Sequence, residues 1–175
     1  FISLSNENIP LAYSPGIVGF DGGSNEDLAF IAIKSTNGKI ESQVRIWENT
    51  PDAASVLLSN NVVLGDRMNH HVKTSFLDGL FKLFLDGAIQ DSTYYEPGII
   101  TCSSVLEIGN RTNNENNQFT GIIDNVKILS NGNTIADYKF NTGTGDILYD
   151  HSGNANHGTI NGASWLGAKP IITDI

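Results

Sequence analysis

Asp150, Ser152, Asn154 and Asn156 place side-chain oxygens at alternate positions around Gly153. Hard cations such as Ca²⁺ take roughly six to eight oxygens, drawn from the side chains and carbonyls of a tight loop. The stretch from Tyr149 to Gly158 offers such a set, with Asp150, Ser152, Asn154 and Asn156 as the expected Ca²⁺ ligands. It has a single carboxylate and no terminal bidentate Glu, which falls short of the full calcium-loop pattern. The alternative is an Asx-turn loop in which the same side chains bond to nearby backbone.

Histidine and carboxylate chemistry has weaker support. His70 and His71 are adjacent, so on a strand they point to opposite faces and cannot chelate one ion together. A structural role is expected for both, and His151 and His157 lie too near Gly-rich turns to form a catalytic pair. A retaining glycosidase needs two carboxylates about 5 Å apart, which on one strand face means acids at i, i+2 or i, i+4. No two acidic residues are two apart; Glu48 and Asp52 are split by Pro51, and Asp146 and Asp150 fall in a turn-rich tail. There is no Gly-x-Ser-x-Gly elbow either. No enzymatic activity is expected.

Sugars present apolar C–H faces and hydroxyls, so their sites pair an exposed aromatic ring with planar amides or carboxylates. Trp47, Tyr94, Tyr95 and Trp165 are the candidate platforms, and Asn113 and Asn114, in the polar run from Asn113 to Gln118, are the candidate polar partners. Core packing is the alternative for both tryptophans. Tyr94 and Tyr95 precede a Glu-Pro loop and are expected to be exposed.

The elements that must position these residues are strands. Val72 to Phe76 and Leu80 to Leu85 flank Asp78-Gly79, and Asp86-Gly87 leads on to Ala88-Ile89-Gln90. Asp-Gly between β-rich runs is a strong hairpin signal, because Gly takes positive φ without steric cost. Leu28 to Lys34 is a near-continuous apolar run, as expected of a strand covered on both faces. Asn37-Gly38 should turn it back into a strand from Ile40 to Glu48, and Asn131-Gly132 should turn Val126–Leu129 into Ile135–Phe140. Thr50 to Asn61 is the one candidate for a short helical turn, with a strand as the alternative. Ten or more short strands at about ten-residue spacing indicate an all-β sandwich.

Composition bounds the rest. A chain of 175 residues is one domain by the usual expectation and can bury a core without staples. Its one cysteine, Cys102, excludes an internal disulfide and reads as a small buried hydrophobe. A net charge of −9 with only 10 Lys and Arg argues against nucleic acid. No apolar run approaches the roughly 20 residues of a membrane helix, so no membrane insertion is expected. Starting at Phe1, the chain is expected to be a processed form, an excised domain or part of something longer.

The order of pieces resembles the laminin-G-like and pentraxin-like families of the concanavalin A-like jelly roll. His70-His71-Val72, Phe84 to Gly87, Ile108-Gly109, and Phe119, Gly121, Ile123, Asp124 and Val126 match that pattern, while Asn69 stands where the family usually has Trp. Asp150-His151-Ser152-Gly153-Asn154-Ala155-Asn156-His157-Gly158 looks like a stretch that generally lies near the start of such domains. Here it comes last, as in a permuted domain or a truncated following module. The resemblance implies an antiparallel two-sheet jelly-roll sandwich spanning 1–175. It also implies a non-enzymatic carbohydrate-binding or surface-adhesion module of a larger extracellular or virion protein. Its partners would be a glycan, a surface protein or other subunits of an assembly. The alternatives are a decoration or fibre domain of a virus or phage particle, and a domain related to the glycoside hydrolases of the same superfamily; their Glu-x-Asp-x-x-Glu signature is absent.

Overall fold

Three tight turns set the hairpins. Asp78-Gly79, Asp86-Gly87 and Asn131-Gly132 each put two successive residues at positive φ, 49° and 78°, 52° and 82°, and 49° and 78°. That is the two-residue turn whose twist matches the right-handed twist of the flanking strands, as the Asp-Gly and Asn-Gly pairs predict. The computed structural model describes residues 2–4, 16–21, 28–33, 37–45, 55–63, 66, 68–95, 105–111 and 118–167.

In chain order the strands are β1 (Ile2–Leu4), β2 (Gly16–Asp21), β3 (Leu28–Ile33), β4 (Lys39–Arg45) and β5 (Ser55–Val62). Then come β6 (Asn69–His70), β7 (Val72–Leu77), β8 (Leu80–Leu85), β9 (Ala88–Tyr94), β10 (Glu107–Ile108) and β11 (Gly121–Ile123). The last four are β12 (Val126–Ser130), β13 (Asn133–Tyr138), β14 (Ile147–Leu148) and β15 (Gly158–Thr159). The fold is all-β and antiparallel, with no helix among the described residues. The stretch from Thr50 to Asn61 resolves as strand over its described part, because β5 pairs with β4 in register Glu41↔Leu58 to Val44↔Ser55.

The chain divides into two units, Phe1–Ile123 and Asp124–Ile175. In the first, one sheet runs β10-β2-β3-β4-β5, and the others run β11-β1-β6 and β7-β8-β9. His71 alone separates β6 from β7. The core gathers Ile17, Ile33, Ile40, Val44 and Leu57 from the five-stranded sheet with Phe81, Leu83, Leu85 and Tyr95, and Phe76 and Val72 pack against it. This is the sandwich expected from the sequence. Strand β3 is buried on both faces, with Ile33 in that core and Phe30 and Ala32 on the other side. The Arg111 guanidinium lies 3.9 Å from the Phe30 ring centroid.

The second unit is the β12–β13 hairpin, with a bulge between Ile128 and Leu129, and the short β14–β15 pair. An isolated bridge joins Tyr138 to Asp150.

Candidate functional site

Tyr94 is 65% exposed at the end of β9. Its ring lies over the Asp78-Gly79 turn, so that a Cβ on Gly79 would come within 2.6 Å of the ring edge and 2.7 Å of the Tyr95 carbonyl. The Tyr95 amide donates to the Gly79 carbonyl at 2.7 Å. One side of the ring is thus supported by backbone while much of the side chain faces solvent. Tyr95 differs from the expectation of exposure. It is buried, with Phe76 edge-on at 6.3 Å between centroids, because successive residues of an extended chain point to opposite faces.

Pairing continues this surface down the outer face of β7-β8-β9. Leu77, Leu80 and Tyr94 are cross-strand partners in the first row, and Ser75, Lys82 and Ser92 in the second. The third row is Lys73, Phe84 and Ile89, with the Lys73 ammonium 5.2 Å from the Phe84 ring centroid. Phe81, Leu83 and Leu85 alternate with these and fill the core. Leu77 and Leu80 are exposed beside Tyr94.

The Asp150 loop is wrapped onto the edge of β13. Asp150 Oδ1 accepts the N–H groups of Asp137 at 2.9 Å and Ser152 at 2.8 Å. Its Oδ2 accepts the Asn156 N–H at 3.0 Å and the Ser152 hydroxyl at 2.7 Å. Asn154 Nδ2 reaches the Thr134 and Ile135 carbonyls, both at 3.0 Å, and Asn156 Nδ2 reaches Ile135 at 2.9 Å. Since carbonyls only accept, both amides must turn their N–H groups toward the strand. The His151 N–H donates to the Asp137 carbonyl at 2.9 Å. Together these groups satisfy the backbone edge that a further strand would otherwise pair.

Burial works to raise the Asp150 pKa, but the donors converging on its carboxylate outweigh it and hold the group well below the usual range. Tyr138 donates its hydroxyl to the Asn156 carbonyl at 2.7 Å, and burial beside Asp150 raises its pKa. A cation bound to Asp150 would have to displace these donors, so this arrangement of the loop fits an edge cap better than a metal cradle. Among the described residues, no group of three or more His, Cys, Asp or Glu side chains is placed to hold a metal ion.

Sequence reasoning missed a second polar cluster. His70 Nε2 lies 2.8 Å from Asp66 Oδ2, and its Nδ1 lies 2.8 Å from Asp86 Oδ2. Asp86 Oδ1 accepts the His71 N–H at 2.8 Å, and the Asp86 N–H donates to the His71 carbonyl at 2.8 Å. A neutral imidazole has one N–H and would face one carboxylate with a lone pair; only the imidazolium donates to both. Burial pulls the His70 pKa down, yet the two aspartates more than reverse this and raise it above 6.5. They act as a structural clasp between the chain ahead of β6 and the β8–β9 turn.

Trp165 is half-buried; its indole N–H donates to the Gly145 carbonyl at 2.8 Å and its ring meets Phe140 edge-on at 6.5 Å. That is packing within the second unit. Trp47, Asn113 and Asn114 lie outside the described residues.

No protein-family model matches the chain, and no curated protein matches it. Among solved structures it is similar to the mouse laminin α1 chain, domains LG4-5, with a TM-score of 0.48 and 16% identity over 76% of this chain. The match covers 34% of the length of that structure.

Proposed function

We propose that this chain is a non-enzymatic module that binds carbohydrate, or adheres to a glycosylated surface, through the outer face of β7-β8-β9. The observation that carries this reading is Tyr94: an aromatic ring held against the Gly79 turn and open to solvent, flanked by exposed Leu77 and Leu80. A sugar's C–H face stacks on such a ring, and the neighbouring serine and lysine side chains are available to its hydroxyls. One shallow platform buries little area, so affinity per site is expected between about millimolar and micromolar, with avidity supplying the rest.

A glycan array tests this, followed by titration of the hits against Tyr94→Ala. Clear hits weakened about tenfold or more by that variant would support the reading. A blank array with a well-folded protein would refute it and leave a structural role in a particle. Tyr95→Ala is not an equivalent probe, because Tyr95 belongs to the core and its loss reports on folding.

A further inference from the structure

We propose that Asn161 is a site of spontaneous deamidation and isoaspartate formation, and the one such site that this fold leaves open among its three Asn-Gly pairs. The pairs are Asn37-Gly38, Asn131-Gly132 and Asn161-Gly162. In the reaction the glycine backbone nitrogen, having lost its proton, attacks Cγ of the asparagine. The new C–N bond closes a succinimide ring, the bond to the side-chain nitrogen breaks, and ammonia leaves after taking up a proton. Water then opens the ring at either carbonyl, giving aspartate or the β-linked isoaspartate. A following glycine puts no side chain in the path of attack.

The fold closes two of the pairs. Asn37 Oδ1 accepts the Lys39 N–H at 3.1 Å, which ties the carboxamide to the chain beyond Gly38. Gly38 is buried and its carbonyl accepts the Val63 N–H at 3.0 Å, so its backbone is not free to turn toward Cγ. Asn131 and Gly132 are exposed, but they are the central residues of the β12–β13 turn, at φ 49° and 78° and closed by the Ser130↔Asn133 pair. Bringing the Gly132 nitrogen onto Asn131 Cγ means turning the peptide between them, against the geometry of the hairpin.

Asn161 has neither restraint. It and Gly162 are exposed and lie outside the strands, and a side chain at Gly162 would meet open space. No hydrogen bond holds the Asn161 carboxamide among the described residues. The pair sits in a short loop closed at both ends on neighbouring carbonyls. The Ile160 N–H donates to the Asp146 carbonyl at 2.9 Å, and the Trp165 indole N–H to that of Gly145 at 2.8 Å. Isoaspartate lengthens the main chain of residues 161–164 by one carbon and adds a negative charge to a chain already at −9. So short a loop has little slack, and conversion should loosen the Trp165 hydrogen bond and its edge-on contact with Phe140.

The test ages the folded chain, and the chain unfolded in guanidinium, at mildly alkaline pH, where the glycine amide loses its proton more readily. Cleavage at Lys34, Lys39, Lys127 and Lys139 puts the three pairs on separate tryptic peptides. Mass spectrometry and isoaspartyl methyltransferase labelling then follow each one. In the folded chain Asn161 should convert about tenfold faster than Asn37 or Asn131, or more, a barrier difference of about 1.4 kcal/mol. In guanidinium the three should convert at similar rates. Equal rates in the folded chain, or a rate at Asn161 that rises about tenfold on unfolding, overturn the proposal. The effect on the loop is read from the Trp165 indole N–H resonance, assigned with Trp165→Phe. It should shift and exchange faster in aged wild type but not in aged Asn161→Gln, whose longer side chain cyclises far more slowly. An unchanged resonance in converted wild type overturns the loosening of Trp165.

Discussion

Replacing Ser59 by Ala should destabilise this protein by about 2 kcal/mol, far more than an ordinary Ser-to-Ala change in a strand. The ladder between β4 and β5 slips there: Glu41 pairs with Leu58, but Lys39 pairs with Val62. Ile40 therefore has no regular backbone acceptor in that ladder, and its N–H donates instead to Ser59 Oγ at 2.9 Å. The hydroxyl in turn donates to the Asn61 carbonyl at 2.7 Å. Ser59 is 1% exposed and Ile40 0%, so water cannot replace the missing oxygen. An orphaned buried donor costs roughly 1–3 kcal/mol, whereas Asn61 is exposed and its carbonyl can turn to water. At about 2–4 °C per kcal/mol for a chain of this size, the melting temperature should fall by about 4–8 °C. Urea unfolding followed by circular dichroism measures the loss, and hydrogen exchange at the Ile40 amide locates it. Asn60→Ala, an exposed neighbour, serves as control and should cost less than about 1 kcal/mol. A loss below about 0.5 kcal/mol with unchanged Ile40 protection would refute the bulge argument.

Gly79→Val and Gly87→Val separate backbone strain from contact. Both force a β-branched residue to positive φ, at 78° and 82°, but a side chain at Gly87 meets open space while one at Gly79 strikes Tyr94 and the Tyr95 carbonyl. Gly87→Val should cost about 1–2 kcal/mol and Gly79→Val clearly more; equal midpoints in urea would count against the position of Tyr94. The His70 clasp should make stability depend on pH near neutrality. Because the folded His70 pKa lies above the unfolded 6.5, its contribution is complete below pH 6.5 and is lost as pH rises through the folded value. Melting curves from pH 5.5 to 8.5 should show a decline that His70→Gln flattens, and an identical slope in both proteins would argue against the imidazolium. For Asp150 the sign reverses: its folded pKa is depressed below 3.8, so its contribution is present above that pH and lost in stronger acid. Asp150→Asn should remove this acid-range component, since an amide nitrogen would face the donors that now meet Oδ2. Melting in millimolar Ca²⁺ and in chelator should coincide; a rise in Ca²⁺ that Asp150→Ala abolishes would instead favour the metal reading.

Local chemistry made much of the fold legible. The Asp78-Gly79, Asp86-Gly87 and Asn131-Gly132 pairs determine their turns, because positive φ at two successive residues is a property of the tight turn and of the few residues that tolerate it. Leu28 to Ile33 announces a strand buried on both faces by being apolar at nearly every position. The Asp150 stretch was also readable as an Asx loop, since its short polar side chains seek backbone within a few residues. The β13 edge on which it closes lies 13 to 20 residues earlier, a separation that no local pattern encodes.

Tertiary pairing decided the rest. Alternation alone could have separated Tyr94 from Tyr95, but only the packing of Phe76 and Phe81 fixes which of the two is inside. The row of Ser75, Lys82 and Ser92 comes from three strands, and its positive character within an acidic chain exists only once their register is set. His70 meets Asp66 within its own neighbourhood but Asp86 only across the β8–β9 turn. Ser59 looks like an ordinary polar strand residue until the β4–β5 slip buries it against Ile40. In each case the deciding quantity is a distance between residues remote in sequence. Burial and strand register set that distance, and with it whether a polar group is solvated, satisfied or left available to a ligand.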